Sequence, residues 1–330
     1  MIIGIDASRN LSWGAIAHIV GILNHFDPNA SAVKLIHIWT HKTIAELINK
    51  RPCLKVHTPP EMSKSLFVKI LWQVFSLPKL LQSNQCSLLF TSDAGSFCRF
   101  FPNIVLSQDL LPFEPGEAAR LGWTRARLRV IALRYVQARS MRNAVANIFL
   151  TEYAANLISS KLNLDLPYTV IEHGIDESFH LQSEVVNGEK SLFQRRQIEC
   201  VYVSNIDEYK HQWHVVEAVA SLRHQGFNIV LNLIGECQGS SGQKLKKTID
   251  ASDPDRSFVK LKGHLSREDL LSALKDMEIF IFASSCESLP ITLLEGMALG
   301  FPIAASCRGP MPDILGDDAS FFDPEVPGDI

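Results

Sequence analysis

Ser284-Ser285-Cys286-Glu287-Ser288-Leu289-Pro290-Ile291-Thr292-Leu293-Leu294-Glu295-Gly296-Met297-Ala298-Leu299-Gly300-Phe301-Pro302 is preceded by a short apolar run of strand length, Glu278 to Ala283. Pro290 suits the first turn of a helix and Gly300 suits its end. The stretch therefore predicts a strand, a tight polar loop and a helix N-terminus in succession. A helix N-terminus offers backbone N–H groups and the positive end of the helix dipole, so the segment Ser288, Leu289, Pro290, Ile291 is a candidate site for a diphosphate. Glu287 stands just outside that end, within reach of a bound sugar, and Glu295 lies a little over a turn inside, where it can accept hydrogen bonds from ribose hydroxyls. The alternative is an ordinary helix with solvated carboxylates, Pro290 and Gly300 serving only as caps.

The framing of the two glutamates narrows this choice. Small residues after a strand, Glu287-Ser288-Leu289-Pro290, then Leu294-Glu295-Gly296-Met297-Ala298 and Gly300-Phe301-Pro302-Ile303, resemble the signature of the group 1 (family 4) retaining glycosyltransferases. In that family two glutamates separated by seven residues flank the sugar-nucleotide site. The resemblance implies the GT-B arrangement, an α/β architecture of two Rossmann-like doubly wound domains facing a cleft, with the donor held mainly by the second domain. It also implies that such a chain continues through further helices after Phe321-Phe322-Asp323-Pro324, so an end at Ile330 would leave the second domain incomplete.

The rest of the chain is consistent with that architecture. At 330 residues it exceeds the usual size of a single core, and 46% apolar with 20% charged residues describes a globular protein. Short apolar strands alternate with helix-length segments: Met1 to Asp6, Val33 to Trp39, Leu54 to His57, Ser87 to Thr91, Ile104 to Ser107, Asn147 to Leu150 and Tyr168 to Glu172, then Cys200 to Val203, Asn228 to Ile234, Ser257 to Leu261, Glu278 to Ala283 and Pro302 to Ser306. We expect an acceptor-binding domain over 1–175 and a nucleotide-sugar-binding domain over 176–330, with Asp176 to Gln197 as the connection. The net charge of -3 is divided unevenly. Residues 1–175 carry 18 Lys+Arg against 11 Asp+Glu, or +7, and residues 176–330 carry 14 against 24, or -10. Seven scattered cysteines without a Cys-x-x-Cys pair predict reduced, mostly buried thiols. Met1 to Leu23 lacks a basic start and is interrupted by Asp6, Arg9 and Asn10, which fits a first strand and helix better than a signal peptide. No run of apolar residues is long enough to predict a membrane span.

Further residues are assigned through the resemblance. Tyr202-Val203-Ser204-Asn205-Ile206-Asp207-Glu208-Tyr209-Lys210-His211-Gln212 resembles the family's phosphate-binding loop, before a helix from about Gln212 to Gln225. Lys210 matches the lysine that grips the diphosphate. Asn205 stands where many members have arginine, which replaces a charged bidentate donor by one neutral hydrogen bond. Gln108 and Asp109, after the strand ending near Leu106, stand where the family presents a group to the transferred sugar; a plain loop with a capping aspartate is the alternative. Gly14 resembles the glycine of the first loop, and Gly235 and Gly263-His264 resemble positions near the nucleotide base. Gly174 provides a turn into the second domain, with His173 and Asp176 as structural neighbours. Asp253-Pro254-Asp255 reads as a surface turn rather than a metal-binding pair, and no cluster has metal-ligand spacing. We therefore expect no metal and no cofactor beyond the nucleoside diphosphate sugar, which is a substrate.

Between Ala118 and Val145 seven arginines occur without an acidic residue, interleaved with Leu128, Ile131, Leu133, Tyr135 and Val136. This predicts a basic amphipathic helix. Met62 to Leu81 adds Lys64, Lys69 and Lys79 around Phe67, Leu71, Trp72, Phe75 and Leu77. Two readings stay open: these faces meet anionic lipid and a lipid-linked acceptor, or the apolar side covers the first sheet while the arginines are solvated or hold an anionic acceptor. Nucleic acid explains the charge less well, since the second half is acidic and no recognised helix-turn-helix or zinc pattern is present. The expectation is a cytoplasmic enzyme, peripheral at the inner membrane face on the lipid reading. It would move a hexose-type sugar with retention to a glycan or lipid-linked acceptor in polysaccharide or lipopolysaccharide synthesis. The rivals are a catalytically silent nucleotide-sugar-binding or scaffold protein, and an epimerase or phosphorylase on the same fold.

Overall fold

The structure is a computed structural model that describes residues 1–180 and 197–330. Most of the expected connection, 181–196, lies outside the described residues. The chain divides into two units, Met1–Gly174 and Ile175–Ile330.

In the first unit β1 (Ile2–Asp6), β2 (Leu35–Trp39), β3 (Leu54–His57), β4 (Leu88–Thr91), β5 (Asn103–Leu106), β6 (Ala146–Phe149) and β7 (Tyr168–Val170) form one sheet in the order β3-β2-β1-β4-β5-β6-β7. In the second, β8 (Ile198–Val203), β9 (Ile229–Ile234), β10 (Val259–Gly263), β11 (Ile279–Phe282), β12 (Ile303–Ser306) and β13 (Ser320–Phe322) follow the order β10-β9-β8-β11-β12-β13. Every ladder is parallel. Both sheets are thus doubly wound, with the order reversing beside β1 in one and β8 in the other.

Burial on both faces explains the continuous apolar strands. All six residues of β9 are buried, and the one polar member, Asn232, donates from its Nδ2 to Glu199 Oε2 and the Cys200 carbonyl. Around it Tyr202, Trp213, Leu245, Phe280, Phe282 and Leu293 fill the second core. Each such side chain stabilises the fold by about 1.5–3 kcal/mol through apolar burial. In the first unit the helix Trp13–His25 places Ile16, Ile19, Val20 and Leu23 on one stripe against Ile5, Ile38 and Ile44. Trp39, Met62, Trp72, Leu77, Leu81 and Leu89 form a second cluster.

Several expectations change. Gly14 lies in the first turn of the helix Trp13–His25, not in a loop, because Ser12 caps that helix by accepting from the Ala15 N–H. Asp253 is buried rather than a surface turn residue. Its carboxylate accepts from the backbone N–H groups of Ser257, Phe258 and Val259 and from Ser257 Oγ. Burial opposes its charge, but these bonds outweigh it and hold the carboxyl below its usual range. The start of the expected connection belongs to the second unit, since Glu177–His180 forms a helical turn whose Phe179 joins that core. All seven cysteines are free thiols, but only Cys86, Cys200 and Cys286 are buried. The 118–145 segment resolves into a turn, Glu117–Arg120, and the helix Arg125–Arg142. That helix buries Val130, Gln137, Ala138, Ser140 and Met141, while Leu128, Ile131 and Tyr135 are exposed. The apolar stripe therefore does not cover the sheet.

Candidate functional site

In the second unit the loop after β8 and the loop after β11 leave adjacent strand ends at the point where strand order reverses, the place where doubly wound sheets bind ligands. The β8–β11 register runs only through Ile279 with Cys200 and Phe280 with Val201, so the ladder stops two residues short of the strand ends at Val203 and Phe282. Lys210, in the first loop, and Glu287, in the second, meet there in an ion pair, and both side chains are largely buried. The Lys210 ammonium also lies 5.1 Å from the Tyr209 ring centre and 5.4 Å from that of Phe282.

The two loops are tied by their backbones. Ser285 N–H donates to the Tyr209 carbonyl at 2.8 Å, and Tyr202 O–H donates to the Lys210 carbonyl at 2.9 Å. His211, in left-handed conformation at φ 52°, ends a short turn and opens the helix Gln212–His224. Its Nε2 lies 2.9 Å from Ser285 Oγ. Tyr202, His211 and Ser285 thus hold Lys210 and Glu287 in register. Sequence reasoning missed all three, although His211 sits beside a candidate lysine.

On the other side of β8, Asn205 is fixed by its side chain: its Oδ1 accepts from the Glu236 N–H at 3.0 Å. Gly235, beside it, donates its N–H to the Gly263 carbonyl at 2.8 Å. The structure therefore brings Asn205, Gly235 and Gly263 together at the ends of β8, β9 and β10, followed by an exposed His264. Ser288, Leu289 and Pro290 form the buried lead into the helix Ile291–Ala298. Glu295 lies on that helix, where burial pushes its carboxyl up to about 7, against the opposing pull of Arg267 and with a further push from Asp176. Arg267 and Asp176 form an ion pair at 3.1 Å.

Gln108 and Asp109 lie in the first unit, near the corresponding strand ends. Gln108 Nε2 donates to the Ser92 carbonyl at 2.7 Å and lies 3.3 Å from His18 Nδ1. His18 packs edge-on to His173, with ring centres 4.1 Å apart. Burial pushes His18 down to about 4; burial and the neighbouring His18 take His173 to about 3, so both are neutral imidazoles at neutral pH. His18 has no motif around it and was not legible in the sequence. Asp109 Oδ1 accepts from the Leu111 N–H at 3.0 Å, a local turn, and burial pushes its carboxyl up to about 6. At the end of β1 Asp6 accepts from Ser8 N–H and Oγ–H, Gln73 Nε2–H and Ser96 Oγ–H, tying that strand end to the helical segment Trp72–Ser76 and to the loop after β4.

Among the described residues no group of three or more His, Cys, Asp or Glu could hold a metal ion. The chemistry the second unit's geometry offers is a cation and a carboxylate beside a helix N-terminus, with a second carboxylate inside the helix.

Comparison with known proteins agrees with this. The family model described as "Glycosyl transferases group 1" matches residues 187–329. The amylovoran biosynthesis glycosyltransferase AmsK of Erwinia amylovora is 28% identical over 124 residues, 36% of this chain and 30% of its own length. An MMP α-(1→4)-mannosyltransferase of Mycolicibacterium hassiacum is 30% identical over 118 residues, 36% of this chain and 28% of its own length. The matches thus span less than a third of those relatives. Among solved structures, Anabaena HepE in complex with UDP and glucose superposes with a TM-score of 0.70 at 15% identity, covering 99% of this chain and 87% of that one. Sucrose-phosphate synthase from Thermosynechococcus elongatus gives 0.73 at 15% identity, over 100% and 87%. The second unit thus carries the stretch that matches the group 1 glycosyl transferase model, and the chain's two parallel-sheet α/β domains have the GT-B fold.

Proposed function

We propose that this chain is a retaining, metal-independent glycosyltransferase. It moves a hexose-type sugar from a nucleoside diphosphate to a hydroxyl of a glycan or lipid-linked acceptor in cell-surface polysaccharide or lipopolysaccharide synthesis, at the cytoplasmic face of a membrane. The observation that carries the reading is the Lys210–Glu287 pair at the strand-order reversal of the second sheet, beside the helix N-terminus. A relative named for amylovoran biosynthesis and a structural neighbour named as a lipopolysaccharide galactosyltransferase support the polymer class. The UDP and UDP-glucose held by HepE make UDP the first nucleotide to try.

In this reading Lys210 and the N–H groups leading into Ile291–Ala298 hold the diphosphate, which requires Lys210 to exchange Glu287 for phosphate oxygens. Glu287, so released, accepts from hydroxyls of the transferred sugar, and Glu295 accepts from the ribose. The bond from the anomeric carbon to the diphosphate oxygen breaks while the acceptor oxygen bonds to the same face. The acceptor proton passes to the leaving diphosphate, so no carboxylate nucleophile is needed. Lys210 stabilises the charge that develops on the leaving group.

The test is a calorimetric and thermal-shift screen against UDP, GDP, ADP, CMP and their sugar conjugates, repeated with Glu295→Ala. Selective binding of one nucleoside diphosphate, lost in the variant, is expected. No binding by any of them would sink the reading, and binding without transfer to any acceptor would make the chain a silent binder.

The raised Glu295 carboxyl gives a pH prediction. Only the ionised form accepts two ribose hydroxyls, and with a value of about 7 it is mostly protonated at pH 6. Donor affinity should therefore rise roughly tenfold between pH 6 and pH 8. Glu295→Gln should bind more weakly at pH 8 and lose that slope. A native slope that is flat, or unchanged in the variant, would remove Glu295 from the ribose site.

A further inference from the structure

The helix Arg125–Arg142 has two opposite faces. Val130, Gln137 and Met141, spaced by seven and four residues, are buried in the first unit. On the other side Leu128, Ile131 and Tyr135, spaced by three and four, form an apolar ridge in which Leu128 is 68% and Tyr135 73% exposed. Trp123, just before the helix, is 99% exposed. Arg125 and Arg129 fall to one side of the ridge and Arg127 and Arg134 to the other, by the helical period. Between Glu117 and Glu152 the chain has no acidic residue.

A folded domain gains nothing from holding Trp, Leu, Ile and Tyr in water, so the ridge suits a partner that removes it from water. The arginines fix the sign of that partner. An apolar strip a few ångströms deep, with an aromatic pair and cations on both flanks, matches the headgroup boundary of an anionic bilayer, where Trp and Tyr sit at the interface and arginine side chains reach phosphates. Among the described residues no helix is long and apolar enough to cross a membrane, so this contact would lie along the surface. A second exposed stripe, Phe67, Leu71 and Phe75, follows Lys64 in the same unit and has the same character.

The geometry points to the Trp123–Tyr135 ridge with its flanking arginines as the surface by which this chain docks on an anionic lipid bilayer, laying the helix in the membrane plane. This rests on the proposed function in placing the acceptor at a membrane, but the surface is argued from its own residues.

The experiment is co-sedimentation of the full 330-residue chain with vesicles of phosphatidylcholine, with and without phosphatidylglycerol. Two exposed-residue variants are compared: Arg125→Glu with Arg129→Glu and Arg134→Glu, and Leu128→Asp with Tyr135→Asp. Unchanged thermal melts show that both fold. The native chain should partition onto the phosphatidylglycerol vesicles and not onto phosphatidylcholine alone. At about fivefold per arginine, the triple charge reversal should weaken partitioning by more than about a hundredfold. The Leu128/Tyr135 variant should also lose it, and Trp fluorescence should shift to the blue on binding in the native chain but not in Trp123→Phe. Equal partitioning onto both vesicle types, or no effect of charge reversal, overturns the proposal. Loss on charge reversal with none in the Leu128/Tyr135 variant also overturns it, because the contact is then electrostatic adsorption in which the ridge takes no part. Nucleotide binding is read on the same samples. Vesicle binding without nucleotide binding sinks the transferase reading and leaves the surface, whereas the reverse result sinks only the surface.

Discussion

Glu287→Gln should bind a nucleoside diphosphate about 3- to 10-fold more tightly than the native chain, yet turn over at least about a hundredfold more slowly. The opposed signs follow from the ion pair. In the donor-free chain Lys210 already has a carboxylate partner, and both groups are largely buried, so a diphosphate must displace Glu287 before it gains the full attraction of the ammonium. A neutral amide keeps the shape and removes the competitor. On the proposed function it would also remove the charged acceptor for the hydroxyls of the transferred sugar, an interaction that would matter most as the anomeric carbon gains positive charge. Lys210→Ala should lose on both counts, with weaker diphosphate binding and a turnover loss of about a hundred- to a thousandfold, the usual cost of removing one preorganised donor to developing charge. Calorimetry with the nucleoside diphosphate and single-turnover kinetics with its sugar conjugate separate the two effects. Weaker diphosphate binding in Glu287→Gln would show that Glu287 is not a competitor for Lys210. Intact turnover in either variant would remove the pair from the chemistry.

The parts of this site that sequence reveals are those with a local cause. Pro290, Gly300 and the apolar run before Ser284 specify a strand, loop and helix by themselves, and β11 and the helix Ile291–Ala298 lie where that reading puts them. The strands of both sheets are legible because burial on both faces forces continuous apolar runs; Leu54–His57 agrees at both ends. Ser320–Phe322 was not legible as β13, since three residues with two of them exposed carry no such run. Other failures arise where a long-range contact decides. Asp253 beside a proline reads as a turn, and only the arrival of Ser257, Phe258 and Val259 N–H groups makes it a buried anchor. Gln73 lies in an apolar segment and is fully buried because Asp6 and Ser8, far away in sequence, accept its amide hydrogens. The helix Arg125–Arg142 shows the limit of periodicity most clearly. Its pattern reveals a stripe, but the packed face includes Gln137, Ala138 and Ser140 and leaves Leu128 and Tyr135 outside, which residue type alone would have reversed.

Gly235→Ala should lower the stability of the second unit by roughly 2–4 kcal/mol and weaken donor binding at least about tenfold. Gly235 closes β9 at φ 145°, a conformation that L residues rarely adopt, and this alone costs about 1 kcal/mol. A Cβ there would lie 2.1 Å from the Ser204 carbonyl oxygen and 2.8 Å from the Asn205 nitrogen, both backbone atoms. Neither can swing aside as a side chain would. The strand ends would have to part, although Ser204 N–H donates to the Ile234 carbonyl and Ile206 N–H to the Glu236 carbonyl across this point. Parting them displaces Asn205 and the start of the loop that carries Lys210, so the damage would reach the proposed diphosphate site through the backbone. Gly226→Ala is the control: φ is 98° there as well, but a Cβ would meet nothing within 4 Å. It should cost about 1 kcal/mol and leave donor affinity alone. Thermal unfolding followed in the second unit should show a fall of roughly 5–15 °C for Gly235→Ala against a few degrees for Gly226→Ala. Equal shifts, or native donor affinity in Gly235→Ala, would mean that strand end and phosphate loop are not mechanically joined at Gly235, and that the site's rigidity comes instead from the bonds that Tyr202 and Ser285 make to the Lys210 loop.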